Sequence, residues 1–576
     1  MDQVARQRGL MTLIGALAGF SLYLMVEVMA RHWLDDRLAL GLTALAATFF
    51  VALLAITGPL SLRRAFSGAV MVSVAVALLL AWASLRYVRI EAFLAAPLPW
   101  IAGLVLGAVP LPFVIAAFGP GWRDYPTLFT QSWTIVVRYA AAWLFVAVVW
   151  ALILLSDSLL GIVGLRVIDD LIKLEPMPFV ITGLTLGFAL AVVTDLADLV
   201  SPDLILRLLR LLLPVVALVM AVFIVALPFR GLSGLFGTLS AATTLLMMAA
   251  VAVTLVSSTI DQCDADATDS MLLMRATQAL ALILPVPAAL GGYAVWLRVD
   301  QYGWTPDRVF VAVVAALALG YGVVYALAVL RGAGWMERIR QGNIGMALIV
   351  LAAAAAFLTP VLNPERIAAN NQIARFEAGK MPPEALDLAG LARWGRAGVK
   401  ALARLEEIAK QPGQQALAMH LQSLDKDLVK PGGDIEALRT ALRAVLPMQP
   451  AGKNELRDLV LQGLDASDLA IWLESCRALL SDGGPGCVMV AGDFQPTTPG
   501  DEALVVLRDA SGYGRHLGYA VQGGGAMAQT VTDAQGAFPH GDVAGLIARL
   551  QDAVPQLTPV PLNQLLIDGQ GFIVRP

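Results

Sequence analysis

Three ionisable residues, Glu27, Arg138 and Asp195, stand inside long apolar runs. A charge at mid-bilayer costs about 3 kcal/mol or more, so such residues are candidates for ion or proton pathways. Glu27 lies near the outer end of its run, where a carboxylate reaches interfacial water, and Arg138 is close enough to an end to snorkel. Asp195 and Asp198 close their run, with Arg207 and Arg210 soon after. For each, an interfacial position is the favoured reading over a pathway. Two proline pairs, Pro110/Pro112 and Pro285/Pro287, each remove two backbone donors and should kink or break a helix. Broken helices at corresponding places in inverted halves would flank a substrate site. Asp307 and Arg308 are the remaining substrate-binding candidates, although Thr305, Pro306 and Asp307 also read as an N-cap, a first-turn proline and a dipole-favoured acid.

Other chemistry finds no support in the residue pattern. A calcium loop starting at Asp264 would need glycine at 269 and glutamate at 275, where Asp269 and Arg275 stand. The Asp261–Asp269 stretch therefore reads as a solvated acidic loop. Asp493–Glu502 carries Gln495 and Thr497 at alternate positions and reads as a hairpin loop. No P-loop, HExxH or GxSxG is present, and the four histidines are scattered. No metal and no cofactor is expected.

The elements that must position these residues follow from composition. Of the 576 residues, 58% are hydrophobic and 15% charged, with a mean hydropathy of +0.73; soluble domains carry about 25% charged residues. About half of the charges fall after residue 360, so two solvent regimes share the chain. A net charge of −4 argues against nucleic acid as a partner. Runs of about 20 residues nearly free of charge predict about eleven transmembrane helices. They lie near 10–30, 37–58, 67–86, 97–118, 133–155, 177–198, 204–228, 238–258, 276–297, 308–330 and 343–361. The first reads as a signal anchor. Ser158–Leu174 has the pattern of an interfacial helix. Gly15/Gly19, Gly103/Gly107 and Gly183/Gly187 are spaced to let helix backbones approach. The clusters Arg6/Arg8, Arg63/Arg64 and Arg331/Arg338/Arg340 fall on one side, which the positive-inside rule makes cytoplasmic.

Several stretches resemble a bacterial membrane-protein family known as domain of unknown function 4153. They are TQSW at 130–133, QYGWTPDR at 301–308, NPERI at 363–367, QIARFEAGK at 372–380 and GRAGVKALARL at 395–405. The resemblance spans roughly residues 120–410, and its most specific part is the Tyr-Gly-x-Thr-Pro-x-Arg loop. It implies a polytopic membrane architecture and carries no catalytic residues.

The expected fold is an α-helical polytopic membrane protein with a C-terminal soluble α+β domain. Its parts are a transmembrane domain at 1–360, a helical extramembrane domain at 361–482 and a β-rich module at 483–576. Within the last, Cys487–Ala491, Ala503–Leu507, Leu517–Val521 and Leu565–Val574 read as strands. Cys476 and Cys487 are either a disulfide, worth on the order of 3 kcal/mol, or two buried thiols. The expected function is that of an inner-membrane envelope component, N-terminus cytoplasmic, coupling the bundle to a periplasmic partner-binding or sensing domain. A transporter or lipid-handling protein and a membrane enzyme are the alternatives. The expected partners are membrane lipids and a periplasmic protein or envelope polymer.

Overall fold

Backbone amides that leave water must be bonded within their own segment, and an apolar run of about 20 residues does this as a helix. The computed structural model describes residues 2–31, 33–163, 165–195, 202–230, 241–423, 435–480, 483–496, 500–508, 514–522, 525–529, 531, 543–552, 557, 564–567 and 570–573. In it, eleven helices are long and apolar enough to cross a membrane. These first to eleventh spans are Ala5–Met29, Asp36–Ile56, Leu62–Ser84, Pro97–Ala117, Tyr125–Ile162, Met177–Asp195, Pro202–Ala226, Ala242–Ile260, Met271–Tyr302, Pro306–Leu330 and Trp335–Leu358. The chain forms two compact units, Met1–Leu424 and Asp425–Pro576. All eleven spans belong to the first.

The fifth helix exceeds its hydropathy signal at both ends. Asp124 caps its start by accepting from the Thr127 amide (3.1 Å), and nothing in the sequence interrupts it before Ile162. The interfacial helix expected at Ser158–Leu174 is reduced to Val167–Ile172, because the fifth helix continues through its first turn.

Side-chain contacts sort the span termini into two ends. At one, Arg8 donates to Asp195 (2.6 Å), joining the start of the first span to the close of the sixth. Arg64, in the first turn of the third, donates to the Phe118 carbonyl just beyond the fourth (3.4 Å). Thr130 of the fifth donates to Gln262 beyond the eighth (2.8 Å), and Arg340 of the eleventh to the Ile260 carbonyl (2.6 Å). At the other end, Arg37 of the second span donates to the Tyr87 carbonyl after the third (2.9 Å). Tyr23 donates to Glu175 before the sixth (3.0 Å), and Arg86 to the Thr359 carbonyl after the eleventh (2.6 Å). The starts and ends placed by these contacts alternate, as successive crossings of one slab require.

Two of the glycine pairs meet each other. A Cβ on Gly15 would overlap the Gly183 carbonyl, one on Gly183 the Gly15 carbonyl, and one on Gly187 the Met11 carbonyl. The first and sixth spans therefore cross with backbones in contact, the arrangement small residues permit where lipid offers no hydrophobic drive. Apolar side chains of the first six spans fill one core, joined by Val309, Ala354 and Phe357. A second core is built from the seventh to eleventh spans around Leu213, Val256, Leu284 and Tyr325.

The second unit holds a five-stranded sheet covered on both faces and a two-stranded hairpin, Gln564–Ile567 with Gln570–Ile573, where one strand is expected at Leu565–Val574. Strands β1 (Met448–Gln449), β2 (Cys487–Gly492), β3 (Glu502–Arg508), β4 (Gly514–Gln522) and β5 (Gly525–Gln529) lie in that order. β1 runs parallel to β2 and the later pairs are antiparallel. Cys487, Met489 and Ala491 face the helices Ile435–Val445, Asn454–Gly463 and Ala466–Arg477, while Val488 and Val490 face Ile547 of Val543–Asp552. A strand buried on both faces reads as a continuous apolar run, as CVMVA does. Cys476 and Cys487 form a disulfide that ties helix to sheet (Cα–Cα 4.7 Å).

The glycine crossing makes one direct prediction. Gly183→Leu forces two backbones apart, whereas overpacking in an ordinary core costs about 1–3 kcal/mol. Thermal unfolding in detergent should show a loss at or above that range for Gly183→Leu, and a loss of less than about 1.5 kcal/mol for Leu184→Met on the exposed side of the same helix.

Candidate ligand-binding site

The stretch after the eleventh span folds back over the end of the bundle that carries Tyr87 and Gly303. Asn363 caps the helix Pro364–Glu377, accepting from the Arg366 amide (2.9 Å), with Pro364 in the first turn. Three residues of that helix then hold the loop between the ninth and tenth spans. Asn371 Oδ1 accepts from the Trp304 amide (3.0 Å), and Gln372 Nε2 donates to the carbonyls of Tyr302 (3.2 Å) and Trp304 (3.1 Å). Arg375 donates to the carbonyls of Asp300 (2.8 Å) and Gln301 (3.1 Å). Gly303 sits at φ +77°, and a Cβ there would come within 2.9 Å of both Asn371 Oδ1 and Gln372 Nε2. The family-like runs at 301–308 and 363–380 are thus two halves of one joint.

Glu365 anchors the other side of this cap. Its buried carboxylate accepts from the Tyr87 hydroxyl (2.7 Å), and Arg86 Nη1 stands 3.7 Å away. Burial pushes the Tyr87 hydroxyl upward, with the Glu365 charge adding to it, so the phenol keeps the proton it donates. Burial also lowers the Arg86 guanidinium, an effect that Glu365 opposes. The Arg396 amide donates to the Arg86 carbonyl (2.8 Å), which seats the helix Gly395–Ala409 beside Pro364–Glu377.

Between those two helices lies a cavity of about 580 Å³. Arg86, Arg366, Arg396, Lys400 and Arg404 line it, against two carboxylates, Glu365 and Glu377, with Trp394 in the wall. Glu377 is bound to Arg404 (3.2 Å) and Glu365 to Tyr87 and Arg86. Arg396 and Lys400 have no ion pair among the described residues, and both are exposed. The arrangement can gather a multiply charged anion. Glu377 and Arg404 also border a second cavity, of about 620 Å³, that reaches Lys380 and Met381.

The residues singled out in the sequence are dispersed. Pro110 follows a break after the helix Pro97–Ala108, and Pro285 one after Met271–Ile283, yet Val109 and Leu284 keep right-handed helical angles. Pro112 and Pro287 are buried. The fourth-span break packs in the first core and the ninth-span break in the second. Gly322 lies so close to the latter that a Cβ would stand 2.9 Å from the Pro285 backbone. Thr305 caps the tenth span, and exposed Asp307 sits in its first turn. Arg308 donates to the Gly303 carbonyl (2.6 Å) and stacks over Tyr302 at 5.6 Å. Glu27 pairs with Arg31, and Asp195 with Arg8. Arg138, placed by its sequence position to snorkel, is instead 5% exposed.

The acidic loop is latched rather than simply solvated. Arg210 pairs with Asp261, Arg340 with Asp264 (2.6 Å), and Gln262 donates to Asp266 (2.8 Å). Beneath it Tyr325, Ser257, Asn343 and Tyr125 form a connected hydrogen-bond network. Among the described residues, no group of three or more His, Cys, Asp or Glu is placed to hold a metal ion.

The cap's foundation is testable. Hydrogen bonds to charged groups contribute about 1.5–3 kcal/mol. Tyr87→Phe should therefore lower stability by that amount in chemical unfolding of the detergent-solubilised protein, while Tyr293→Phe, at an exposed position, changes it little.

No curated protein and no solved structure matches the chain. A family model does, over residues 20–405, which extends well before the stretch from 120 where the likeness is plainest and takes in both halves of the cap joint. Covering about two thirds of the sequence, the match shows that the chain belongs to the family described as domain of unknown function (DUF4153).

Proposed function

We propose that this chain is a multi-pass inner-membrane protein whose cap, on the periplasmic face, binds an anionic envelope ligand through the Arg396–Lys400 cavity. The observation that carries the reading is the cavity's balance of five cationic side chains to two carboxylates. Guanidinium groups recognise phosphate and carboxylate oxygens in bidentate geometry. Both carboxylates are already engaged, so neither is poised as a general base, and binding fits the site better than catalysis.

Orientation follows the arginine clusters. Arg8, Arg64 and Arg340 all lie at the bundle end opposite the cap, which supports a cytoplasmic N-terminus and a periplasmic cap. A substrate site at the two proline breaks has less in its favour, since they pack in separate cores and Gly322 closes on Pro285.

Binding of pyrophosphate to the purified full-length protein tests the reading. Wild type should bind with an affinity that falls as salt rises. The double variant Arg396→Glu/Lys400→Glu should lose about tenfold or more, as replacing attractive by repulsive charges does. An unchanged affinity in the double variant would refute it.

A further inference from the structure

A second anion site is indicated at the opposite end of the bundle, independently of the cap. Arg138 of the fifth span is 5% exposed, and its Nε and Nη2 are sealed from solvent without a hydrogen-bond partner. A guanidinium cannot shed its proton in a protein, so this is a buried cation. Among the described residues no carboxylate pairs with it. The contrast with Arg340, 3% exposed, is direct: that side chain reaches Asp264 and the carbonyls of Asp261 and Ile260.

The groups around Arg138 are already committed. The Tyr139 hydroxyl donates to the Val51 carbonyl (2.7 Å), and the Thr57 and Thr194 hydroxyls to Leu53 and Leu190 of their own helices (both 2.6 Å). Asp195, next to Thr194, is held by Arg8. Arg138 Nη1 faces the turn that ends the second span: a Cβ on Gly58 would stand 3.9 Å from Nη1 and 3.4 Å from Thr194 Cγ2. Exposed Arg63 and Arg64 open the helix that follows this turn. Among the described residues Arg138 Nε and Nη2 have no partner, and charged residues within membrane segments mark ligand or ion sites.

We propose that Arg138 is the anchoring residue of an oxyanion site at the Gly58 turn, and that its ligand is a phosphate group. A position level with the end of the second span lies at the depth of lipid headgroups, so the phosphate belongs either to an anionic phospholipid or to free inorganic phosphate. Arg63 and Arg64 would draw either toward the turn.

The test uses full-length protein purified in a neutral detergent, with thermal midpoint and native mass spectrometry as readouts. One arm adds sodium phosphate against sodium chloride at matched ionic strength. The other adds phosphatidylglycerol against diacylglycerol, which lacks the phosphate. Wild type should be stabilised in at least one arm. Stabilisation by lipid alone, with retained lipid adducts, identifies the headgroup, and stabilisation by phosphate salt identifies the free ion. Arg138→Gln should abolish the response, and Arg138→Lys, which keeps charge but loses the planar fork, should weaken it about tenfold. The cap variant Arg396→Glu/Lys400→Glu should keep it, which separates this site from the cavity. Absence of any wild-type response would overturn the proposal even if Arg138→Gln fails to fold, and so would an undiminished response in Arg138→Gln.

Discussion

In hydrocarbon a backbone amide has no water to turn to, and every feature of the first unit descends from that constraint. It makes each apolar run a helix and leaves the polar groups to collect at the two ends. With eleven such helices in succession among the described residues, the segment after the last must emerge opposite the start of the first. The contacts agree: Arg8 and Asp195 share one end, Tyr87, Thr359 and Trp304 the other. The cap can form because three stretches far apart in sequence surface together, around residues 86–87, 300–304 and 359–405.

The same constraint decides how the bundle holds. Helices in lipid gain little from burying leucine against leucine, so close backbone approach and interhelical hydrogen bonds carry more of the association. The Gly15–Gly183 crossing supplies the first, and the Tyr325–Asn343–Tyr125 network the second. Buried charges are tolerated where they are answered, as Glu365 is by Tyr87 and Arg86, or Asp261 by Arg210. Arg138 is the case where no described side chain answers.

What could be read from the sequence was whatever depends on local pattern. Span positions follow from hydropathy and length, the start of the tenth span from Thr305-Pro306-Asp307, and three strands of the second unit from short apolar runs between turn residues, whereas the run expected as one strand at Leu565–Val574 is the hairpin Gln564–Ile567 and Gln570–Ile573. Pairings across the chain had no such signal. Nothing in the sequence connects Tyr87 with Glu365, 278 residues on, or brings Arg86 to the wall of a cavity built by Arg396 and Lys400. Arg138 shows a related limit: its distance from the run's end suggests snorkelling, but nothing local shows that the fifth helix begins at Tyr125 and that other spans bury the side chain. The acidic loop shows the same limit, since its partners Arg210 and Arg340 lie in distant spans.

Opposite placement of the cap and the acidic loop is the claim on which the rest stands, and native Cys263 offers a marker for it, being the free cysteine in that loop. Lys410→Cys adds a second thiol in the exposed turn after the Gly395–Ala409 helix. A membrane-impermeant maleimide applied to intact cells with a permeabilised outer membrane should label the thiol at position 410 and leave Cys263 unlabelled until the inner membrane is opened. Labelling of both thiols in intact cells, or protection of both, would contradict the opposite placement, and labelling of Cys263 with protection of position 410 would contradict a cap outside the cytoplasm.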